Sequence, residues 1–205
     1  MQNPLLSISK TPIWALLSDK IRRNEMIYIF LANGFEEVEA LATVDVLRRA
    51  SLKVVMVGVG SDVITGAHGI SVVCDAIDSA VSTSGDLEAV ILPGGMPGTL
   101  NLEHSETVNA FVDYAAEHNK LICAICAAPS ILGHKGLLKD KTAVCFPGFE
   151  SELEGAKLSD SFVVTDGNII TAKGMGSAVK FGIAIGTEFV GEDKMKKIEE
   201  SLQCS

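Results

Sequence analysis

The sequence predicts an α/β protein built on a mainly parallel sheet. Three observations carry that expectation. Continuous apolar runs recur at MIYIFLA (26–32), LKVVMVGVG (52–60) and AVILPGG (89–95), the pattern of strands buried on both faces. Segments of helical spacing separate such runs, so the first three elements read β-α-β, which requires a parallel pair. The composition, 47% hydrophobic with 19 Gly and 5% aromatic residues in 205, suits a packed globular chain rather than a disordered one.

Taken in order, the elements follow from local chemistry. EEVEALATVDVLRRA after the first strand has 3–4 spacing of apolar residues and reads as a helix. SDVITGAHGISVVCD (61–75) reads as a small β excursion with a glycine-bearing turn. ETVNAFVDYAAEHN is a helix, KLICAIC a buried strand, AAPSILGHKGLL a short helix and KTAVCF a further strand. SFVVTDGNIITA reads as a hairpin on the Asp166-Gly167 turn signal. Residues 175–190 and 192–202 read as helices. A chain this long fits one domain, expected over residues 26–205. Residues 1–25 read as an extension of unknown role: an upstream translation start, an added segment or a docking helix around Trp14. Met26 stands directly before a strand and fits a natural start.

The formal charge of −9, with no Lys/Arg-rich run, argues against a nucleic-acid-binding surface. No apolar run approaches the roughly 18–20 residues of a membrane-spanning helix. The N-terminus lacks the basic and long apolar regions of a signal peptide. A cytoplasmic location is the expectation, with five cysteines kept mostly as free thiols.

Sites in open α/β sheets lie beyond the carboxyl ends of the strands. Those ends here carry Gly34 to Glu39, Gly94 and Gly95, Cys126, and Phe146 with Pro147. Four distant loops are thus expected at one edge. Cys126 stands where a strand turns into a helix, followed by Ala127, Ala128 and Pro129, the setting of a nucleophile elbow. A helix N-terminus there favours thiolate, and the N–H groups of Ala127 and Gly95 are placed to hold an oxyanion. Read alone, Cys126 serves equally well as a small buried residue, since buried cysteines are usually inert.

Glu36, Glu37 and Glu39 open the first helix, where acidic residues suit the dipole. One of them lying against the sulfur would titrate with it as a coupled unit and serve as general acid and base. A dithiol role for Cys123 and Cys126 is poorly served by geometry. Residues three apart in an extended strand lie ~10 Å apart, whereas a disulfide needs Cα atoms within about 7 Å. Zinc is not expected, because no second CxxC or histidine cluster completes four ligands. LPGGMPG lacks both a GxGxxG fingerprint and a P-loop lysine, so no nucleotide cofactor is expected. His68, His104, His118 and His134 read as surface residues, which leaves a Cys-His pair without support.

NGFEEVEA (33–40), ILPGGMPG (91–98) and AICAAP (124–129) together resemble the signature blocks of the ThiJ/PfpI superfamily, in its Parkinson disease protein 7 branch. The resemblance covers about residues 26–200. It implies a flavodoxin-like three-layer sandwich and a homodimer. It further implies Cys126 as nucleophile and redox-sensitive thiol, Glu39 as its carboxyl partner, Gly95 and Ala127 as backbone donors, and Cys74 near the dimer interface. Gly94, Phe146 and Pro147 would line a pocket expected to be small and polar. Two departures stand out. Many members carry histidine where this chain has Phe146, and the peptidase branch has histidine where this chain has Ala127, which argues against proteolysis. The implied activity is cofactor-independent processing of 2-oxoaldehydes such as methylglyoxal (glyoxalase), or of their early glycation adducts on amines or thiols (deglycase). The alternative is a non-enzymatic oxidative-stress sensor or chaperone acting through oxidation of Cys126.

Overall fold

The computed structural model describes residues 25–203, residue 84 excepted. The expected N-terminal extension therefore lies outside the described residues, apart from residue 25. A seven-stranded sheet forms the centre. Its strands are β1 (Met26–Leu31), β2 (Val54–Gly58), β5 (Ala76–Ile77), β6 (Leu87–Leu92), β7 (Leu121–Ile125), β10 (Val163–Asp166) and β11 (Ile169–Ala172). Their order is β10-β11-β7-β6-β1-β2-β5. Every neighbouring pair is parallel except the edge hairpin β10–β11. That hairpin closes through Gly167 and Asn168, with Gly167 at φ +64°.

Alternation along the strands builds two cores. Tyr28, Phe30, Val90, Leu92 and Ile122 face one side. There they meet α2 (Gly98–Glu103), α3 (Glu106–Glu117) and α4 (Pro129–His134) through Leu102, Phe111 and Ile131. Phe111 packs edge-on against both Tyr28 and Phe30, with ring centroids 5.0 Å apart in each pair. Ile27, Ile29, Leu31, Ile91 and Ile125 face the other side. They meet α1 (Glu37–Arg49) and α5 (Ala178–Val190) through Val44, Leu47, Phe181 and Ile185. The chain is a flavodoxin-like three-layer sandwich. Burial on both faces is why its strands read as unbroken apolar runs. The terminal helix α6 (Glu192–Leu202) packs on α5, and Met195 reaches Val46 and Ala50.

The excursion at 61–75 is a separate antiparallel hairpin, β3 (Val63–Thr65) with β4 (Ser71–Val73). KTAVCF departs from expectation. Only Thr142 and Ala143 (β8) are extended in a ladder, paired with Lys157–Leu158 (β9) and outside the central sheet. Beyond them the backbone is drawn away: the Val144 N–H donates to Thr171 Oγ1 at 3.0 Å, and the Phe146 N–H to the Cys126 carbonyl at 2.8 Å. The short helix α2 was not expected from LPGGMPG, whose glycines and prolines conceal it.

Candidate active site

β1, β6, β7 and β11 run parallel, so their carboxyl ends share one edge. Cys126 lies one residue past β7 at φ +66°, a conformation that costs an L-residue roughly 1–2 kcal/mol. Its peptide is held at both ends. The Cys126 N–H donates to the Ala172 carbonyl at 2.9 Å, and its own carbonyl accepts from Phe146. Pro129 opens α4, where a missing N–H costs nothing. The backbone N–H groups of Ala127 and Gly95 lie near enough to the sulfur to favour its thiolate. Gly95 has φ +91°, and a side chain on it would run into the Glu36 amide.

The three acids at the start of α1 divide their work. Glu36 is the N-cap, accepting the Glu39 N–H at 2.6 Å. Glu37 is buried and turned toward the β3–β4 hairpin. It accepts the N–H groups of His68 (2.8 Å) and Ile70 (3.3 Å) and meets His68 Nδ1 at 2.9 Å. Glu39, 1% exposed, faces the thiol. Its Oε2 accepts the Gly94 N–H at 2.9 Å. Its Oε1 is buried without an aligned hydrogen-bond partner, although thiol and carboxyl weigh on each other as hydrogen-bonding neighbours. Glu36, Glu37 and His68 bring possible ligand atoms within 4.8 Å of one another, but both carboxylates are already engaged by N–H groups.

Burial pushes Glu39 up to about 7, against the lowering effect of the neighbouring Cys126 thiol and of its bond from Gly94. Burial, then the Glu39 charge, push the Cys126 thiol up to about 12. Helix α4 was expected to favour the thiolate. It has only six residues, and the lowering effect of the nearby Ala127 and Gly95 backbone groups is outweighed. Between these limits the two groups share one proton, and the values belong to the pair. Moving that proton from sulfur to carboxyl creates the thiolate without changing the net charge.

The loops at Gly34–Glu39, Gly94–Gly95, Cys126 and Phe146–Pro147 are brought together. The Glu36 N–H donates to the Gly94 carbonyl at 2.9 Å, and the Gly98 N–H to that of Gly34 at 3.1 Å. Cys74 is not part of this group. It is buried after β4, beside Gly58, with its thiol pushed up to about 11 by burial and by Asp75 and Asp62. Cys123 and Cys145 are buried free thiols. All four histidines are exposed; His134 bridges Glu103 and Glu152. Sequence reading missed Ala172 to Gly174 and Ser177. The signal was present in NIITAKG, whose strand end lies beside that of LICAIC once the two strands pair.

A hollow of about 320 Å³ opens beside the site, lined by Phe146, Pro147, Phe162, Gly174, Met175 and their neighbours. Its walls are largely apolar; of the residues expected to line a pocket, Phe146 and Pro147 are among them and Gly94 is not.

The DJ-1/PfpI family model matches residues 25–188. The chain belongs to the DJ-1/PfpI family. It is similar to protein DJ-1 homolog B of Arabidopsis thaliana, 37% identical over 171 residues, which are 82% of this chain and 39% of that protein. The chain thus spans well under half of that relative. It is 29% identical over 168 residues to the glutathione-independent glyoxalase DJR-1.2 of Caenorhabditis elegans, covering 82% of this chain and 89% of that one. The crystal structure of Drosophila melanogaster DJ-1beta superposes with a TM-score of 0.83 at 30% identity, over 88% of this chain and 98% of that one.

Proposed function

We propose that this protein is a cysteine-dependent, cofactor-independent enzyme acting on reactive 2-oxoaldehydes or their early glycation adducts. The observation that carries the reading is the meeting of Glu39 and Cys126 at Gly94, a buried carboxyl set against a partly exposed thiol at a strand end. The name of the C. elegans relative supports the same chemistry.

The steps balance without an external oxidant. The Cys126 proton passes to Glu39 as sulfur bonds to the aldehyde carbon. The carbonyl oxygen, held by the Gly95 and Ala127 N–H groups, takes that proton and becomes the hydroxyl of a hemithioacetal. Glu39 then removes the hydrogen on this carbon as a proton. The electron pair left behind moves onto the neighbouring carbonyl to give an enediolate; reprotonation at the second carbon, with the hydroxyl proton passing to the adjacent oxygen, gives a 2-hydroxy thioester. Water cleaves the thioester to a 2-hydroxy acid and restores the thiol. One carbon is oxidised and its neighbour reduced. An aldehyde delivered as an amine or thiol adduct enters the same sequence once the adduct dissociates.

The test is methylglyoxal consumption and lactate formation by the reduced protein without glutathione, beside Cys126→Ser. Turnover lost in that variant is expected; turnover kept in it overturns the proposal. A second reading, an oxidation sensor, draws on the same site. A sulfinate on Cys126 would accept the two N–H groups and the proton of Glu39, and Oε1 of Glu39 is the buried oxygen still without a partner.

The homodimer is also a proposal. Val63 and Val73 are paired across the β3–β4 hairpin, and with Val38 and Ile70 they leave large apolar side chains exposed on neighbouring segments. Such a patch suits a second copy of the chain. Among the described residues no helix is long and apolar enough to cross a membrane; a cytoplasmic location remains part of the proposed picture.

A further inference from the structure

We propose that the apolar hollow beside Glu39 receives the side group of the substrate, and that the preferred substrates are 2-oxoaldehydes bearing a bulky apolar substituent, aryl or branched alkyl. This rests on the reading that the site processes 2-oxoaldehydes, and it names which ones.

Gly174 lines the hollow on the side that faces the reacting groups. A methyl placed on Gly174 would lie 3.2 Å from Phe146 Cδ2 and 3.9 Å from Glu39 Oε1. A single glycine therefore separates the aromatic wall from the proposed proton carrier. In the proposed pose the aldehyde hydrogen faces Glu39 and the substituent passes over Gly174, which has no side chain to block it. The volume, about 320 Å³, stands at the lower end of ligand pockets, which run from roughly 300 to 1,000 Å³. A methyl group leaves most of it to water; an aromatic ring displaces that water from apolar walls.

The walls are exposed but held in place. Phe146, Phe162 and Met175 are 47%, 62% and 54% exposed, a concentration of apolar surface with no role in the core. The Phe146 backbone is pinned through its N–H to the Cys126 carbonyl. The Phe162 carbonyl accepts the Lys173 N–H at 2.9 Å, and Lys180 Nζ lies 5.7 Å over the Phe162 ring. Ser177 Oγ donates to the Gly174 carbonyl at 2.7 Å and accepts its N–H at 3.2 Å. A preformed wall needs little ordering when the ligand arrives.

The test compares kcat/KM for phenylglyoxal and methylglyoxal, without glutathione, in the wild type, Met175→Asp and Phe162→Ser. Both variants change exposed side chains, and circular dichroism checks their folding. One methylene in an apolar pocket is worth about 10-fold or more in discrimination. The wild type is therefore expected to favour phenylglyoxal at least ~10-fold, and the variants to lose most of that ratio. Methylglyoxal turned over as well as phenylglyoxal overturns the inference and leaves the enzyme reading standing. Turnover of neither aldehyde by folded, reduced protein overturns the substrate assignment together with the enzyme reading. Calorimetry on Cys126→Ser, with mandelate and lactate as the two product acids, reads the pocket independently of turnover. Mandelate binding tighter than lactate, and weakened when Met175→Asp is added, supports the apolar pocket; equal affinities overturn it.

Discussion

The Gly94 N–H donates to Glu39 Oε2 at 2.9 Å, and the same Gly94 leaves no room for a side chain between that carboxyl and the thiol. A methyl on it would lie 2.6 Å from Cys126 Cβ and 2.7 Å from Glu39 Oε2. Gly94→Ala must therefore push the two reacting groups apart. Forcing a methyl into packed surroundings costs about 1–3 kcal/mol, and Tm is expected to fall by on the order of 5 °C. Turnover should fall more steeply than the folded fraction, because the displaced atoms are those that share the proton. Thermal unfolding and methylglyoxal kinetics on the same preparation check both.

Reactivity of Cys126 is expected to rise as pH increases through about 7. Below that, both members of the pair are protonated; above it, one proton remains to be shared. Rates of alkylation by iodoacetamide and kcat/KM for methylglyoxal should show the same limb. Glu39→Gln removes the carboxyl and with it the limb near pH 7, and turnover should fall about 100-fold or more, the usual contribution of a positioned acid–base group.

The same carboxyl makes stability depend on pH. In the folded protein it holds its proton up to about 7, against 4.5 ordinarily. The folded state therefore binds more protons between those values, and stability falls as pH rises through that window. The full difference is on the order of 3 kcal/mol. Glu39→Gln retains an acceptor for the Gly94 N–H and carries no charge. Urea unfolding at pH 5 and pH 8 should show a smaller loss in the variant than in the wild type.

Glu37 is expected to matter for the hairpin and not for the thiol. It receives the N–H groups of His68 and Ile70. Glu37→Ala should speed amide exchange at those two residues by roughly 10-fold, about what one hydrogen bond to a charged group contributes. Hydrogen exchange followed by mass spectrometry measures this, and the alkylation rate of Cys126 should change much less.

Mild oxidation is expected to add oxygen to Cys126 rather than join it to Cys123. Cys123 is fully buried within β7, whereas Cys126 stands past the strand end and is partly exposed. Peptide mass spectrometry distinguishes a gain of oxygen atoms from the loss of two hydrogens.

Much of this was legible in the sequence, for identifiable reasons. Strands such as MIYIFLA show themselves because both of their faces are covered. The turn at Cys126 shows itself because Ala-Ala-Pro follows a buried run. The separate duties of Glu36, Glu37 and Glu39 were not legible, since all three suit a helix start and only tertiary partners tell them apart. The shortened strand at KTAVCF was hidden for a similar reason. Its apolar pattern is that of a strand, but its N–H groups go to Thr171 and Cys126. The thiol's elevation was also hidden, because it depends on burial and on a carboxyl more than eighty positions away in the chain.

The left-handed backbone at Cys126 sets directed evolution for robustness against the chemistry of the site. Glycine would relax that turn at no steric cost, so a screen that rewards heat tolerance alone should drift toward replacing the one atom the protein cannot spare. Thermostable variants are best sought in the outer helices and loops, with residue 126 held fixed and aldehyde turnover scored in every round.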